Sequence, residues 1–262
     1  MNENIQKVEL KPNDITKEKV KELKKEKVDI VELYAISTNN YILSHSKVEH
    51  NFEELKKASK LIKRGRINLG YKIAIGFPDS TRIDELNTAK ELVKLKPKYI
   101  SMFPVIITKK SRFEGMYKNG EYEPITLEQA IERCKELYYF FEKKHVEIIE
   151  IENEEISPKK LVAGPYHEAF AQLVESRIWY DSIVNKIKKF NVKVKEVEIE
   201  LNPRDVMHVV GHEEENLKKL KEFYEVDVKI VEDEKRTPGK FDIKILKTFS
   251  DFYEEKEESK KE

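Results

Sequence analysis

The sequence predicts an α/β fold in which a partial (β/α) barrel is followed by a compact α+β module. From Val8 to about Ile151, short β-rich runs alternate with charged amphipathic stretches of helical length, which is the pattern of βα units in a parallel sheet. After Phe190 the pattern changes to a strand, two short helices and two further strands. Five strands are visible in the first segment, fewer than the eight of a closed barrel.

The elements of the first segment follow from hydrophobic periodicity. Period-2 or continuously apolar runs predict strands at Val8 to Leu10, Val28 to Leu33, Tyr71 to Ile75, Tyr99 to Pro104 and Val146 to Ile151. Amphipathic stretches predict helices at Lys17 to Lys25, Phe52 to Arg64, Arg82 to Leu95 and Leu127 to Lys143. We expect Asp79 or Ser80 to cap the third helix, and Thr126 with Gln129 to form a capping box on the fourth.

These patterns divide the chain into four parts. Residues 1–155 form the partial barrel, with an ordered excursion between Pro104 and Thr126. Residues 156–190 form a connecting segment with one long helix, from His167 to Phe190. Residues 191–250 form the α+β module, and residues 251–262 form a charged tail.

Charge and hydropathy limit the function. The chain of 262 residues has 50 Lys+Arg and 50 Asp+Glu, so its formal net charge is zero and nucleic acid can be attracted only by a local patch. No run of about 18 apolar residues is present, so we expect no membrane span and take the cytoplasm as the default compartment.

The single cysteine excludes several kinds of chemistry. Cys134 alone can form neither an internal disulfide nor a zinc or iron-sulfur centre, and its place in an amphipathic helix predicts buried packing. Of the six histidines, only His208 and His212 have the i, i+4 spacing of a zinc-protease helix, and this pair spans a helix end and a turn and lacks the glutamate. The sequence therefore predicts no metal site and no catalytic residue.

The α+β module contains a turn between two helices, Gly211-His212-Glu213-Glu214, that resembles the GXXG turn of a KH domain. In that fold the turn brings bare backbone against nucleic-acid phosphates. Here the second glycine is replaced by Glu214, and the module carries as many acidic as basic residues from 186 to 231. The module is thus predicted to be KH-like, with a structural or protein-contacting role. In the alternative interpretation it contacts RNA through Arg204, Gly211, Lys218, Lys219 and Lys221.

In the first segment, several predicted strands are followed by residues that could lie close to a ligand. The run YKIAIGFPDST places Gly76 and Pro78 just after a strand, where a ligand or an ordinary βα turn would lie. After the run VDIVEL, Thr38, Asn39 and Asn40 could line a pocket or cap the next helix.

Four runs of the first segment resemble the rear half of the radical S-adenosylmethionine (SAM) barrel of the Elongator-catalytic-subunit-like bacterial proteins. They are VELYAIST, SKVEH, YKIAIGFPDST and LKPKYISMFPVIITKKSRFEGMYKNGEYEPITLEQAIERCKELYYFF. Two later runs resemble the C-terminal extension of the same group, LVAGPYHEAFAQLVESRIWYDSI and NPRDVMHVVGHEEENLKKLKEFYEV. The resemblance runs from about Val8 to Val231 and is most specific from Met102 to Leu137.

The resemblance implies SAM and a 4Fe-4S cluster as family cofactors, with the cluster held by three cysteines in a loop that this sequence lacks. No cofactor is therefore predicted for this chain alone. A glutamine, an arginine and a glycine of the family pattern are also replaced, while His50, Gly76 and Pro78 persist. The resemblance thus implies a vestigial SAM pocket formed by Thr38, His50, Gly76 and Pro78.

Three functions follow as hypotheses. The first is a cluster-less derivative that acts as a binding or assembly protein without catalysis of its own. The second is the C-terminal half of a split, tRNA-modifying radical SAM enzyme that a partner chain completes. The third is an RNA-binding protein acting through the KH-like module. The expected partners are a protein or a second copy covering the open barrel edge, or an RNA or tRNA.

Overall fold

The protein is described by a computed structural model that covers residues 5–153 and 156–251. The strands are β1 (Lys7–Leu10), β2 (Ile30–Ile36), β3 (Asn68–Ile75), β4 (Tyr99–Pro104), β5 (Ile107–Thr108), β6 (Glu147–Ile151), β7 (Leu161–Ala163), β8 (Val194–Leu201), β9 (Asp227–Glu232) and β10 (Phe241–Thr248). The helices are α1 (Lys17–Lys25), α2 (Asn40–His45), α3 (Phe52–Arg64), α4 (Arg82–Lys94), α5 (Arg112–Lys118), α6 (Leu127–Glu142), α7 (Phe170–Ile187), α8 (Val206–Val210) and α9 (Glu215–Tyr224).

The chain divides into two compact units, Met1–Ala171 and Gln172–Glu262. The first unit contains a five-stranded sheet in the order β1-β2-β3-β4-β6, in which every neighbouring pair is parallel. This arrangement confirms the predicted α/β fold with five parallel strands. The last eleven residues of the predicted charged tail, 252–262, lie outside the described residues.

One face of this sheet is covered by helices. The Oγ of Ser59, on α3, lies 2.7 Å from the hydroxyl of Tyr71 on β3, and both side chains are buried. Helices α4 and α6 also contact β3. The strands turn their apolar residues to this side, where Leu33, Ile73 and Ile100 are fully buried. The apolar core of the first unit therefore lies between the helices and one sheet face.

The ends of several elements differ from the prediction for local reasons. Strand β2 begins at Ile30 instead of Val28, because the Val28 N–H bonds to the Leu23 carbonyl at the end of α1. The cap of α4 is Thr81, not Asp79 or Ser80 as expected. Thr81 Oγ1 accepts a hydrogen bond from the Asp84 N–H, and the Asp84 carboxylate accepts one from the Thr81 N–H. The capping box of Thr126 and Gln129 is confirmed.

Helix α7 is shorter than the predicted helix from His167 to Phe190. His167 lies before it and accepts a hydrogen bond from the Ala169 N–H at its Nδ1 atom, 3.0 Å away. At the other end, the Phe190 N–H bonds only three residues back, to Ile187. The chain therefore leaves the α-helical pattern at both ends.

The excursion between Pro104 and Thr126 contains two elements that the sequence did not reveal. Strand β5 pairs with β7 in an antiparallel two-stranded sheet. Helix α5 follows, capped by Ser111. A helix of seven residues with Gly115 at its middle has a weak sequence signal.

The second unit has a three-stranded sheet in the order β10-β8-β9, with β8 parallel to β9 and antiparallel to β10. The predicted strand-helix-turn-helix-strand sequence is present as β8, α8, the turn from Gly211, α9 and β9. Its core joins residues of α7, such as Ile183, to β8 residues such as Val197. Trp179, the single tryptophan, stacks on Phe241 with ring centroids 5.1 Å apart.

Asn216 joins three helices of this second unit. Its buried side-chain amide donates hydrogen bonds to the Ser176 carbonyl on α7, at 3.0 Å, and to the His208 carbonyl on α8, at 2.9 Å. Gly211 is required beside it, because its φ is +80° and a Cβ there would lie 2.9 Å from the Asn216 nitrogen.

We predict that Asn216→Ala lowers the free energy of unfolding of the second unit by about 1–3 kcal/mol, because two buried carbonyls lose their donor. Urea denaturation followed by Trp179 fluorescence measures the change. Glu222→Ala, at an exposed position of the same helix, is the matched control and should leave the midpoint unchanged. An equal effect of both substitutions would contradict the structural role of Asn216.

Candidate functional site

The second face of the five-stranded sheet carries charged side chains, and we call it the charged face. The strand register places Glu9 opposite Glu32, Tyr34 opposite Lys72, and Ser101 opposite both Lys72 and Glu150. These residues alternate with the apolar residues that face the helices. The charged face consists of Lys7, Glu9, Glu32, Tyr34, Lys72, Glu150 and Glu152.

Lys7 lies at the centre of three carboxylates. Its Nζ is 3.2 Å from Glu9 and 3.3 Å from Glu32, and it also contacts Glu150. Carboxylate oxygens of the three glutamates lie within 4.8 Å of one another, close enough to hold a metal ion. The Lys7 ammonium supplies the positive charge that this trio needs.

The ionisation of this cluster depends on the pairing. Burial raises the pKa of Glu32, whose side chain is fully enclosed, and the nearby Lys7 only partly offsets this effect. Burial alone would lower the pKa of Lys7, but its hydrogen bond to Glu150 and the charges of Glu32 and Glu150 raise it above its ordinary value. Lys7 therefore stays charged, and its loss would leave a buried carboxylate without a cation.

A second lysine links the cluster to aromatic rings. Lys72 Nζ lies 3.1 Å and 3.2 Å from the two oxygens of Glu9, and the Tyr34 hydroxyl donates to Glu9 at 2.5 Å. Partial burial opposes the effect, but these two bonds hold the pKa of Glu9 below its usual range. The Lys72 ammonium also lies 5.7 Å from the ring centroid of Tyr34 and 5.9 Å from that of Phe103, within cation–π range.

Tyr34 and Phe103 also line a cavity of about 500 Å³ at the carboxyl ends of β2 and β4. The cavity is mainly apolar and aromatic, and Phe77 and Phe113 meet edge to face in its neighbourhood with centroids 5.5 Å apart. Its lining residues are Lys11, Tyr34, Ile36, Ser46, Lys47, Val48, Glu49, His50, Phe77, Phe103, Ser111, Arg112 and Phe113. The charged face and this aromatic cavity thus form one continuous site at the edge where parallel sheets bind ligands.

His50 is the one residue of the predicted vestigial pocket that lines this cavity. Its side chain is buried, and its Nε2 lies 3.3 Å from the Ala35 carbonyl. Burial lowers the pKa of His50, with the Ala35 carbonyl opposing the effect. The imidazole is therefore neutral at pH 7.

Gly76 has both backbone groups bonded inside the protein. Its N–H donates to Glu85 at 2.7 Å, and its carbonyl accepts from the Tyr122 hydroxyl at 2.6 Å. Gly76 has a φ of +71°, and a Cβ there would lie 2.6 Å from Ile125. Glycine is therefore needed to fit the chain under the excursion, whether or not a ligand approaches.

Pro78 and Thr38 also take internal positions. Pro78 is buried, and the Thr38 N–H donates to Thr88 Oγ1 at 3.2 Å. Asn39 caps α2 by accepting from the Tyr41 N–H, as one of its two sequence interpretations expected. The structure does not bring Thr38, Gly76 and Pro78 into the wall of the aromatic cavity with His50.

The charged face was missed by the sequence analysis, although its signal is present. Glu32 interrupts the apolar run of β2, and Lys72 interrupts that of β3. A charged residue in a buried strand is rarely tolerated without a partner. A comparison of neighbouring strands for charged residues within their apolar runs would have revealed the charged face.

The lysines predicted to contact RNA in the KH-like module are bonded within that module. Lys218 donates to the Glu213 carbonyl at 2.6 Å, Lys219 pairs with Glu215, and Lys221 lies 2.5 Å from Asp227. Arg204, which belongs to the same predicted set, is exposed and lines a separate cavity of about 470 Å³ with Arg236. The predicted set is therefore spread over separate surfaces.

The chain's residues do not fit an iron-sulfur cluster. Three thiolates are needed, and the one cysteine, Cys134, is fully buried inside α6. Burial raises the pKa of the Cys134 thiol, which disfavours the thiolate form. The predicted buried packing of Cys134 is confirmed.

We predict that Lys7→Met destabilises the first unit by about 2 kcal/mol, below the ~3–5 kcal/mol of a fully buried pair because Lys7 retains some exposure. The double variant K7M/E32Q should recover about half of this loss, since the buried charge is then removed. Urea denaturation followed by far-UV circular dichroism measures both.

Lys11→Met is the matched control for Lys7, because the ion pair of Lys11 with Glu49 is exposed. It should leave the midpoint unchanged. A stable Lys7 variant, or a double variant less stable than the single one, would show that the cluster does not depend on this lysine.

Comparison with known proteins identifies relatives of this architecture. The Radical_SAM C-terminal domain matches residues 97–180. The tRNA uridine(34) acetyltransferases of Methanocaldococcus jannaschii and Methanocaldococcus infernus are each 27% identical to this chain over 128 residues. The match covers 48% of this chain and 24% of each relative, so it spans about a quarter of their length.

The structure of archaeal Methanocaldococcus infernus Elp3 with an N-terminal deletion has a similar fold, with a TM-score of 0.62 and 23% sequence identity. The similarity covers 79% of this chain and 46% of that one. No helix in the described part of the chain is both long enough and apolar enough to cross a bilayer. The matched domain and these relatives confirm the predicted similarity of the chain to radical SAM, Elongator-like proteins, and the Elp3 structure shows that the fold is shared.

Proposed function

We propose that this chain is a cluster-less derivative of the radical SAM barrel that binds a ligand on the charged face and acts as a binding or assembly protein. The observation that carries the proposal is the continuity of the charged face with the aromatic cavity through Tyr34 and Phe103. The family's radical chemistry needs three cluster thiolates, and Cys134 is the only cysteine. The proposed role of the chain is therefore ligand binding without the radical chemistry of the family.

The charge and shape of the site favour a ligand with an aromatic base and a cationic centre. The charged face holds four carboxylates and two ammonium groups, so its formal charge is −2, whereas the cavity lining adds three cations, Lys11, Lys47 and Arg112, and the carboxylate of Glu49. A cationic centre is therefore favoured on the charged face itself. One oxygen of Glu32 is buried and has no hydrogen-bond partner among the residues that the structure describes. SAM combines an adenine, which can pack against Phe77, Phe103 and Phe113, with a sulfonium and an ammonium group that carboxylates attract.

We predict that the purified chain binds SAM in isothermal titration calorimetry, and that Phe103→Ala weakens binding about 5- to 150-fold, because base–aromatic stacking contributes about 1–3 kcal/mol. Phe223→Ala is the matched control, since Phe223 is an exposed phenylalanine of the second unit. It should leave the affinity unchanged. Absence of SAM binding, or equal effects of the two substitutions, would contradict the proposal.

The alternative is that the chain is one half of a split enzyme. Among the described residues, β1 and β6 each pair on one side only, so both edges of the sheet can accept further strands. A partner that supplies βα units with a three-cysteine motif would close the barrel over the charged face. The tRNA named for the two acetyltransferase relatives would then be the substrate class of the complex. The mass and composition of the native assembly distinguish this alternative, because it requires a second, cysteine-rich polypeptide.

A further inference from the structure

Three buried oxygen atoms of the charged side of the sheet have no hydrogen-bond partner among the described residues. They are Glu32 Oε1, Ser101 Oγ and Glu150 Oε2. Glu32 and Ser101 are fully enclosed, and the side chain of Glu150 is 25% exposed. Because a buried polar atom without a partner is costly, each such atom needs a physical explanation, such as a bound ion.

Three strands bring these atoms together. In the strand register, Ser101 on β4 lies opposite Glu150 on β6. Gly70 of β3 lies between Glu32 on β2 and strand β4, so no side chain separates Glu32 from β4. Glu32 and Glu150 have carboxylate oxygens within 4.8 Å of each other. Burial raises the pKa of Glu32 and the adjacent Ser101 hydroxyl opposes the rise, although the two groups form no hydrogen bond of ordinary length and angle.

The Lys7 ammonium uses the other oxygen of each of these two carboxylates. Its Nζ lies 3.3 Å from Glu32 Oε2 and also contacts Glu150 Oε1. Glu9, the third carboxylate of the trio, has both oxygens bonded, to Lys72 and to Tyr34. Glu32 Oε1 and Glu150 Oε2 are therefore available to a second cation that leaves Lys7 in place.

The charge and the donor atoms favour a divalent cation. The formal charge of the charged face is −2, which one divalent ion balances. Two carboxylate oxygens and a hydroxyl are hard donors, which suit Mg²⁺ and Mn²⁺ better than metals that prefer thiolates. Mg²⁺ commonly binds a protein through one or two carboxylates and keeps several of its waters. The partly exposed side of Glu150 gives those waters access to solvent.

We propose that Glu32, Ser101 and Glu150 bind a Mg²⁺ ion. The ion links β2, β4 and β6 and balances the negative charge that Lys7 and Lys72 leave uncompensated. The sequence analysis predicted no metal site, because these three donors lie on three different strands and no local motif joins them. The proposal does not depend on SAM binding, and its test contains no SAM.

Titration of the chelator-treated chain with Mn²⁺, followed by the electron paramagnetic resonance signal of free Mn²⁺, tests the proposal. We expect one Mn²⁺ per chain at this site, and Mg²⁺ should displace it. Ser101→Ala and Glu150→Gln should each raise the Kd for Mn²⁺ at least about tenfold, since the loss of even an outer-shell partner costs about 10- to 100-fold in metal affinity. Far-UV circular dichroism establishes that each variant is folded.

The matched control is Glu147→Gln, which makes the same chemical change at an exposed position of β6. It should leave the Mn²⁺ affinity unchanged. Ser101→Ala decides the outcome if Glu150→Gln does not fold, because it keeps every ion pair of the charged face. Absence of Mn²⁺ binding, failure of Mg²⁺ to displace Mn²⁺, an equal loss in the Glu147 variant, or unchanged affinity in the Ser101 variant would each overturn the proposal.

Discussion

The first unit depends on the placement of the Lys7 ammonium among the carboxylates of Glu9, Glu32 and Glu150. A parallel sheet is normally covered on both faces by apolar layers. Here one face carries helices, and the other carries charges that would be unstable without their mutual pairing. Lys7 and Lys72 make such a face compatible with a stable sheet.

A second set of buried hydrogen bonds fixes the backbone at Gly76, directly before Phe77, which lines the aromatic cavity. The excursion after β4 is held down by the Tyr122 hydroxyl, which donates to the Gly76 carbonyl. Glu85 on α4 accepts from the Gly76 N–H and pairs with Arg133 on α6. Burial raises the pKa of Glu85, and the hydrogen bond from Gly76 opposes the shift. Gly76 therefore anchors the excursion without lining the cavity, whose aromatic walls include Phe77, Phe103 and Phe113. Gly76, which the sequence analysis placed in the vestigial SAM pocket, supports the excursion through its backbone hydrogen bonds.

Much of the fold could be predicted from local sequence patterns, because strands such as β4 and helices such as α3 coincide with strong apolar periodicity. Helix α5 and the pairing of β5 with β7 could not, since two short strands carry almost no periodicity and their contact depends on Gly164. The candidate site was predicted only at His50. The charged face arises from the register between strands, which places Glu9 beside Glu32 and Glu150 beside Ser101, and no single stretch of sequence contains that information.

We propose that the charged face binds a ligand of the radical SAM type, while the single cysteine cannot hold the redox cluster. Anaerobic reconstitution of the purified chain with iron and sulfide, followed by metal analysis, electron paramagnetic resonance after reduction and an assay for 5′-deoxyadenosine, tests it most directly. The account predicts iron well below stoichiometry and no 5′-deoxyadenosine from SAM. A stoichiometric 4Fe-4S signal with 5′-deoxyadenosine formation by this chain alone would contradict it.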